Sequence, residues 1–239
     1  MKRLFSLAAP MLVLLACHSP AKPKQERPVQ IDTMLLIAPP AHAATKVASN
    51  EVSVVNKDSV TYIRFGDCYF SLDWIYPDAQ RNDFELHPDT LFFKLAYKHT
   101  IEGQMLAITA GANEKMKVWQ RYETSAIIEG SPTLALLQWK HHRSDWEALK
   151  EEASNFYLCK KYTPEEKQLF PEANINELRQ QIKQHFGRLA LSRIAGLCSF
   201  PSGPAKVAIS RYFLKVSGTL NHSADKINKL LVIDVAFKG

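Results

Sequence analysis

The order of hydrophobic periodicities predicts an α+β fold: a mainly antiparallel sheet in the first half, three helices in the middle and two C-terminal strands. Three observations carry it. Large apolar residues alternate with polar ones in stretches from Val60 to Trp139, three capping boxes follow between Ser144 and Glu177, and alternation returns after Pro204. Of 239 residues, 46% are hydrophobic and 23% charged, which is the mix of a globular protein and excludes a disordered or fibrous one. A single apolar run, near the start, argues against a protein with several membrane-spanning helices.

Met1 to Ala16 reads as an export signal. Lys2 and Arg3 give it a positive start, and Leu4 to Leu15 is an apolar segment too short for the roughly 30 Å of a bilayer core. Leu14-Leu15-Ala16-Cys17 resembles the lipobox of bacterial lipoproteins. The resemblance implies that the Cys17 thiol receives a diacylglyceryl group and becomes the first residue after cleavage. Each buried methylene then adds roughly 0.8 kcal/mol of membrane affinity, so acyl chains at Cys17 hold the chain on a membrane without a protein span. His18, Ser19 and Pro20 follow, with no Asp beside the anchor, which by analogy with lipoprotein sorting favours the periplasmic face of an outer membrane.

Residues 17–50 form a tether. Pro20, Pro23, Pro28, Pro39 and Pro40 stand among Ala, Lys, Gln and Ser, a composition that stays extended and solvated over roughly 30 Å. Residues 51–239 are the globular part, with a sub-boundary possible near 143–163.

Each element has its own signal. Val60 to Phe65 and Cys68 to Trp74 alternate around Gly66-Asp67, the spacing of a tight hairpin. Leu91 to Tyr97, Gln104 to Thr109, Met116 to Ile128 and Leu134 to Trp139 continue the strand pattern. Helix starts are marked at Ser144 to Glu147, Thr163 to Glu166 and Asn174 to Glu177, where a polar side chain and a Glu three residues later satisfy each other's backbone N–H groups. The first helix would align Trp146, Leu149, Ala153 and Phe156 on one face. The third would align Ile175, Leu178, Ile182, Phe186 and Leu189. Continued to Arg193 the stripe would hold a charge, so a stop or kink is expected near Gly187. Lys206 to Val216 and Lys229 to Phe237 read as the last strands.

Ile175 to Phe186, followed by Lys206 to Phe213 and a final strand, is loosely similar to the C-terminal domain of TonB-type energy transducers. That family's second helix has little room between Gly218 and Lys229, and the transducer role is not carried over.

Chemistry concentrates at Lys140-His141-His142-Arg143, directly before a marked helix start. Cationic groups beside free helix N–H groups suit an anion, which makes Lys140, His141, His142 and Arg143 anion-binding candidates. Adjacent His141 and His142 on a strand point to opposite faces and do not chelate one metal. No HExxH, CxxC or GxSxG spacing occurs, and neither a metal nor another cofactor is expected. Cys68, Cys159 and Cys198 remain beside Cys17; a Cys159–Cys198 disulfide is possible. Asp73, Asp78, Asp83 and Glu85 sit among aromatic residues, a mixture that sugar-cleaving sites use and that turns also produce.

The formal charge of +6 falls to +4 when Lys2 and Arg3 leave with the signal. Glu51 to Arg143 carries 10 basic and 12 acidic residues, Ser144 to Gly239 carries 14 and 10. Arg179, Lys183, Arg188, Lys206, Arg211 and Lys215 supply that surplus and suit an anionic lipid, peptidoglycan or another envelope protein. Nucleic acid is excluded by the compartment. The reading is a lipid-anchored periplasmic binding or assembly module without catalysis; the alternative is an envelope hydrolase of a glycan or peptide polymer, using Asp73, Asp78, His141 or His142.

Overall fold

The computed structural model describes residues 52–65, 68–82, 87–109, 116–219 and 226–237. The chain divides into two units, Met1–Ala44 and Thr45–Gly239, and the described residues all belong to the second. The signal, Cys17, the tether and the Gly66-Asp67 turn lie outside them, as do Asp83 and Glu85.

Strands are numbered in chain order. The first sheet runs, neighbour by neighbour, β1 (Val52–Lys57), β2 (Val60–Phe65), β3 (Cys68–Asp73), β6 (Met105–Thr109), β12 (Phe156–Leu158) and β11 (Glu151–Ala153). The second runs β10 (Glu147–Ala148), β7 (Lys117–Ile128), β13 (Ala205–Thr219), β14 (Lys226–Asp234), β5 (Thr90–Leu95) and β4 (Ile75–Pro77), with β8 (Leu134–Ala135) and β9 (His142–Arg143) also on β7. Every pairing is antiparallel except β14 with β5, an exception the sequence gives no sign of.

Alternation decides which residues meet. Ile63, Phe70, Leu72, Leu106 and Ile108 of the first sheet share one core with Leu91, Phe93, Val118, Leu214, Leu231 and Ile233 of the second, so the sheets pack face to face. Strands β7 and β13 extend past the first sheet. On their extension Ala126, Ile128 and Ala205 pack against Leu178, Ile182, Ala190 and Ile194 of α1 (Ile175–Ser192) and the turn after it. Even-numbered side chains of β7 peg the connecting segment across that junction. Gln120 pairs both backbone groups of Lys160 at 3.0 and 3.1 Å, and the Tyr122 hydroxyl donates to Glu166 O at 2.8 Å. Thr124 donates to Leu169 O.

The predicted α+β arrangement with three middle helices is overturned: β-strands dominate, and the described residues contain one α-helix and one 3-10 turn, Glu166–Gln168. At the first box, Ser144 Oγ accepts from Tyr122 N at 3.0 Å across the sheet and caps no helix. The residues after it pair instead with the edge of β7, where Leu149 N donates to Val118 O at 2.8 Å. Tertiary pairing has won over a local helical spacing. The second box does form its reciprocal bonds, Glu166 N to Thr163 Oγ1 at 3.2 Å and Thr163 N to Glu166 Oε2 at 2.7 Å. It yields only the 3-10 turn, because Leu169 is already extended and Pro171 disfavours helix at the residue before it.

The third box caps α1, with Asn174 Oδ1 accepting from Glu177 N at 2.8 Å. The expected break falls at Gly187, whose φ of 81° interrupts the helix. Glycine tolerates that region without a Cβ clash. The break re-phases the helix: Leu189 is exposed while Ala190 and Ile194 return to the core. Arg193, freed from the stripe, donates to Pro132 O at 2.6 Å and Ser131 O at 3.0 Å.

Candidate functional site

The outward face of the second sheet carries the densest polar chemistry. Register sets a row of charges across five neighbouring strands: Arg143 on β9 opposite Glu123 on β7, then Arg211 on β13, Asp234 on β14 and Lys94 on β5. Signs alternate along the row, so each cross-strand neighbour is favourable. Arg211 bonds Asp234 through Nε, and Arg81 reaches the same carboxylate from the loop after β4. Lys94 lies 3.4 Å from the buried carboxylate of Asp78.

Glu123 is the most deeply buried charge of the row, with 1% of its side chain exposed. His141 Nδ1 stands 2.9 Å from Oε1, while Arg143 Nε and Arg211 Nη1 stand 3.4 and 3.9 Å from Oε2. Among the described residues neither oxygen accepts a hydrogen bond of ordinary geometry. The carboxylate is therefore balanced by nearby charge rather than by directed bonds. Burial lowers the His141 imidazole below its ordinary value, opposed by Glu123 and reinforced by Arg143 and Arg211.

Ser125, His141 and Glu123 come together in the combination that hydrolases use, but the geometry differs from theirs. Ser125 Oγ lies 3.3 Å from the same Nδ1 that faces Glu123, and its other contact is Ser210 Oγ at 2.7 Å. A nucleophile and an orienting carboxylate need opposite ring nitrogens, and Ser125 is fully buried. The group acts as a clamp between β7, β13 and the segment entering β9.

One step along the sheet, Arg121 of β7 is opposite Phe213 of β13. Its guanidinium lies 4.3 Å from the Trp146 ring centre and 4.6 Å from that of Phe213, within the range of cation–π attraction. Among the described residues Arg121 Nε is buried without an acceptor. Burial, then Arg143, lowers this guanidinium from its ordinary value, with Glu123 opposing.

The four predicted anion-binding residues are divided by the fold. His141 and Arg143 meet at Glu123. His142 turns to the opposite face, against the Tyr122 ring at 5.8 Å, as alternation requires. Lys140 is drawn away to α1, donating to Glu177 Oε2 at 2.6 Å and Glu172 O at 2.8 Å. The helix start expected to complete the site is β10. Asp73 ends β3 in the first sheet and Asp78 follows β4 in the second, with no bond between them and none to either histidine.

Cys68, Cys159 and Cys198 are thiols, so the Cys159–Cys198 disulfide is absent. Cys159 lies in the core, where burial pushes its thiol up to about 12, while Cys198 is exposed. Among the described residues no three His, Cys, Asp or Glu side chains converge on a metal position. An open groove of about 650 Å³ lies elsewhere, bordered by Trp119, Leu149, Glu151 and Asn155. It contains none of the predicted residues.

Glu123, Arg121 and Asp234 escaped notice in the sequence. Alternation puts Arg121, Glu123 and Ser125 on one face of one strand, but their partners Arg211 and Asp234 are about 90 and 110 residues further along, and register alone brings them together. Compared with known proteins, the chain matches no family model, no curated protein and no solved structure.

Proposed function

We propose that this chain is a lipoprotein, anchored through Cys17 on the periplasmic side of the outer membrane, whose globular part is a binding module for an anionic envelope component. The observation that carries the binding role is the outward face of the second sheet. There Arg121, Arg143 and Trp146 stand beside a buried carboxylate that only partly balances the cations around it. Anionic lipid headgroups, peptidoglycan or an acidic protein surface complement such a face. A rigid two-sheet body suits presentation of that surface, since strand-borne side chains hold their spacing better than loop-borne ones.

The address rests on Leu14-Leu15-Ala16-Cys17 and has a direct test. Cells expressing the full-length chain are given a labelled fatty acid, beside cells expressing Cys17→Ala. Label is expected on the parent and lost from the variant. Equal labelling of both would refute the anchor.

A further inference from the structure

We propose that Arg121 and Arg143, flanked by the Trp146 indole, form a binding site for an oxyanion, a phosphate or a carboxylate. The inference deepens the binding-module reading, and rests on it for the source of the ligand alone. A guanidinium offers its N–H donors in its own plane and its charge to aromatic rings through its faces. Trp146 and Phe213 lie against the Arg121 guanidinium at 4.3 and 4.6 Å. Among the described residues no carboxylate forms an ion pair with this guanidinium, and its buried Nε has no acceptor.

Arg143 supplies the second donor set. Register puts it opposite Glu123, and Arg121 is the next residue of β7 on that face. Such diagonal neighbours stand roughly 7 to 8 Å apart, within reach of long side chains. Arg143 approaches Glu123 through Nε at 3.4 Å and keeps 55% of its side chain exposed, which gives a ligand access to it. Arg81, Arg121, Arg143 and Arg211 bring four positive charges against the two of Glu123 and Asp234. Asp234 faces Arg81 and Arg211 and Glu123 faces Arg143, so one of the two uncompensated positive charges lies with Arg121 and Arg143. An oxyanion there gains charge-assisted, bidentate bonds, and Trp146, 36% exposed, offers an apolar shelf for whatever carries it.

The test follows the Trp146 indole N–H resonance of the full-length chain, assigned with Trp146→Phe. Inorganic phosphate and acetate are titrated separately, each against sodium chloride at equal ionic strength. A saturable shift is expected with a Kd on the order of 1 mM, and the tighter of the two probes tells a phosphate-bearing from a carboxylate-bearing source. Arg143→Gln should weaken the response roughly tenfold or more, Arg121→Gln should abolish it, and Lys57→Gln on the first sheet should leave it unchanged. Near-UV circular dichroism verifies the fold, and half-exposed Arg143 carries the test should Arg121→Gln not fold. Absence of saturation up to about 50 mM, or an equal response in Arg143→Gln, would overturn the site. The titration reads the site whether or not Cys17 carries lipid, so a lost fatty-acid label with a retained anion response removes the address alone.

Discussion

The two faces of the second sheet are made by the same strands and do opposite things. Val118, Tyr122, Leu214, Val216, Leu231 and Ile233 point inward and are almost wholly buried. Their immediate neighbours Glu123, Arg211 and Asp234 point outward and hold one another by charge, with Arg121 beside them against Trp146 and Phe213. The inner face gains from water exclusion, which is indifferent to direction. The outer face depends on which charge stands opposite which, and that is set by register to the residue. A bulge in β13 between Ile209 and Arg211 shifts that strand by one residue, and so brings Arg211 rather than Ser210 opposite Glu123. The fold is therefore robust on one side and finely specified on the other.

Substitutions can separate the two. On the inner face, Phe93→Ala removes a fully buried ring and should cost about 3 to 5 kcal/mol, read as a lower urea midpoint. On the outer face, Arg211→Met leaves Glu123 and Asp234 without their shared cation, with 14% of the Arg211 side chain exposed. A loss of about 3 kcal/mol is expected, and a neutral result would show that the charge row contributes no net stability. Asn174→Ala, which removes the cap of α1, should cost about 1 kcal/mol in the same measurement and leave the anion response intact.

The smallest effect concerns His141. Its folded-state value lies below the ordinary 6.5, so the unfolded chain binds more protons in the interval between the two. Stability is then complete above about pH 6.5 and declines as pH falls toward the folded value. Urea midpoints at pH 7.5 and 5.5 should show that decline in the parent and a shallower one in His141→Gln. An unchanged slope would assign the pH dependence to other groups.

Most strands were legible because period-two alternation is a local property. The β2 and β3 hairpin, β5, β6, β7 and the final pair all follow runs visible in the sequence, though Leu134 to Trp139 yields only the two residues of β8. The helices were misread where a local signal competed with a sheet edge: Ser144 to Glu147 has the residues of a cap, yet Tyr122 N and the open edge of β7 claim them. Asn174 to Glu177 faces no such competitor and does start a helix. The site was legible only in part. His141 and Arg143 belong to it, whereas Arg121 and Glu123 acquire meaning through strands joined only in three dimensions.

The separation of the two faces is tested most directly by thermal unfolding of the parent and of Arg121→Gln/Arg143→Gln in phosphate and in chloride at equal ionic strength. Phosphate stabilises folded proteins generally, and that part is common to both. Specific binding should add roughly 3 to 6 °C to the parent alone at tenfold excess over Kd, with similar melting temperatures for the two proteins in chloride. An equal gain in both proteins would contradict an anion-binding outer face.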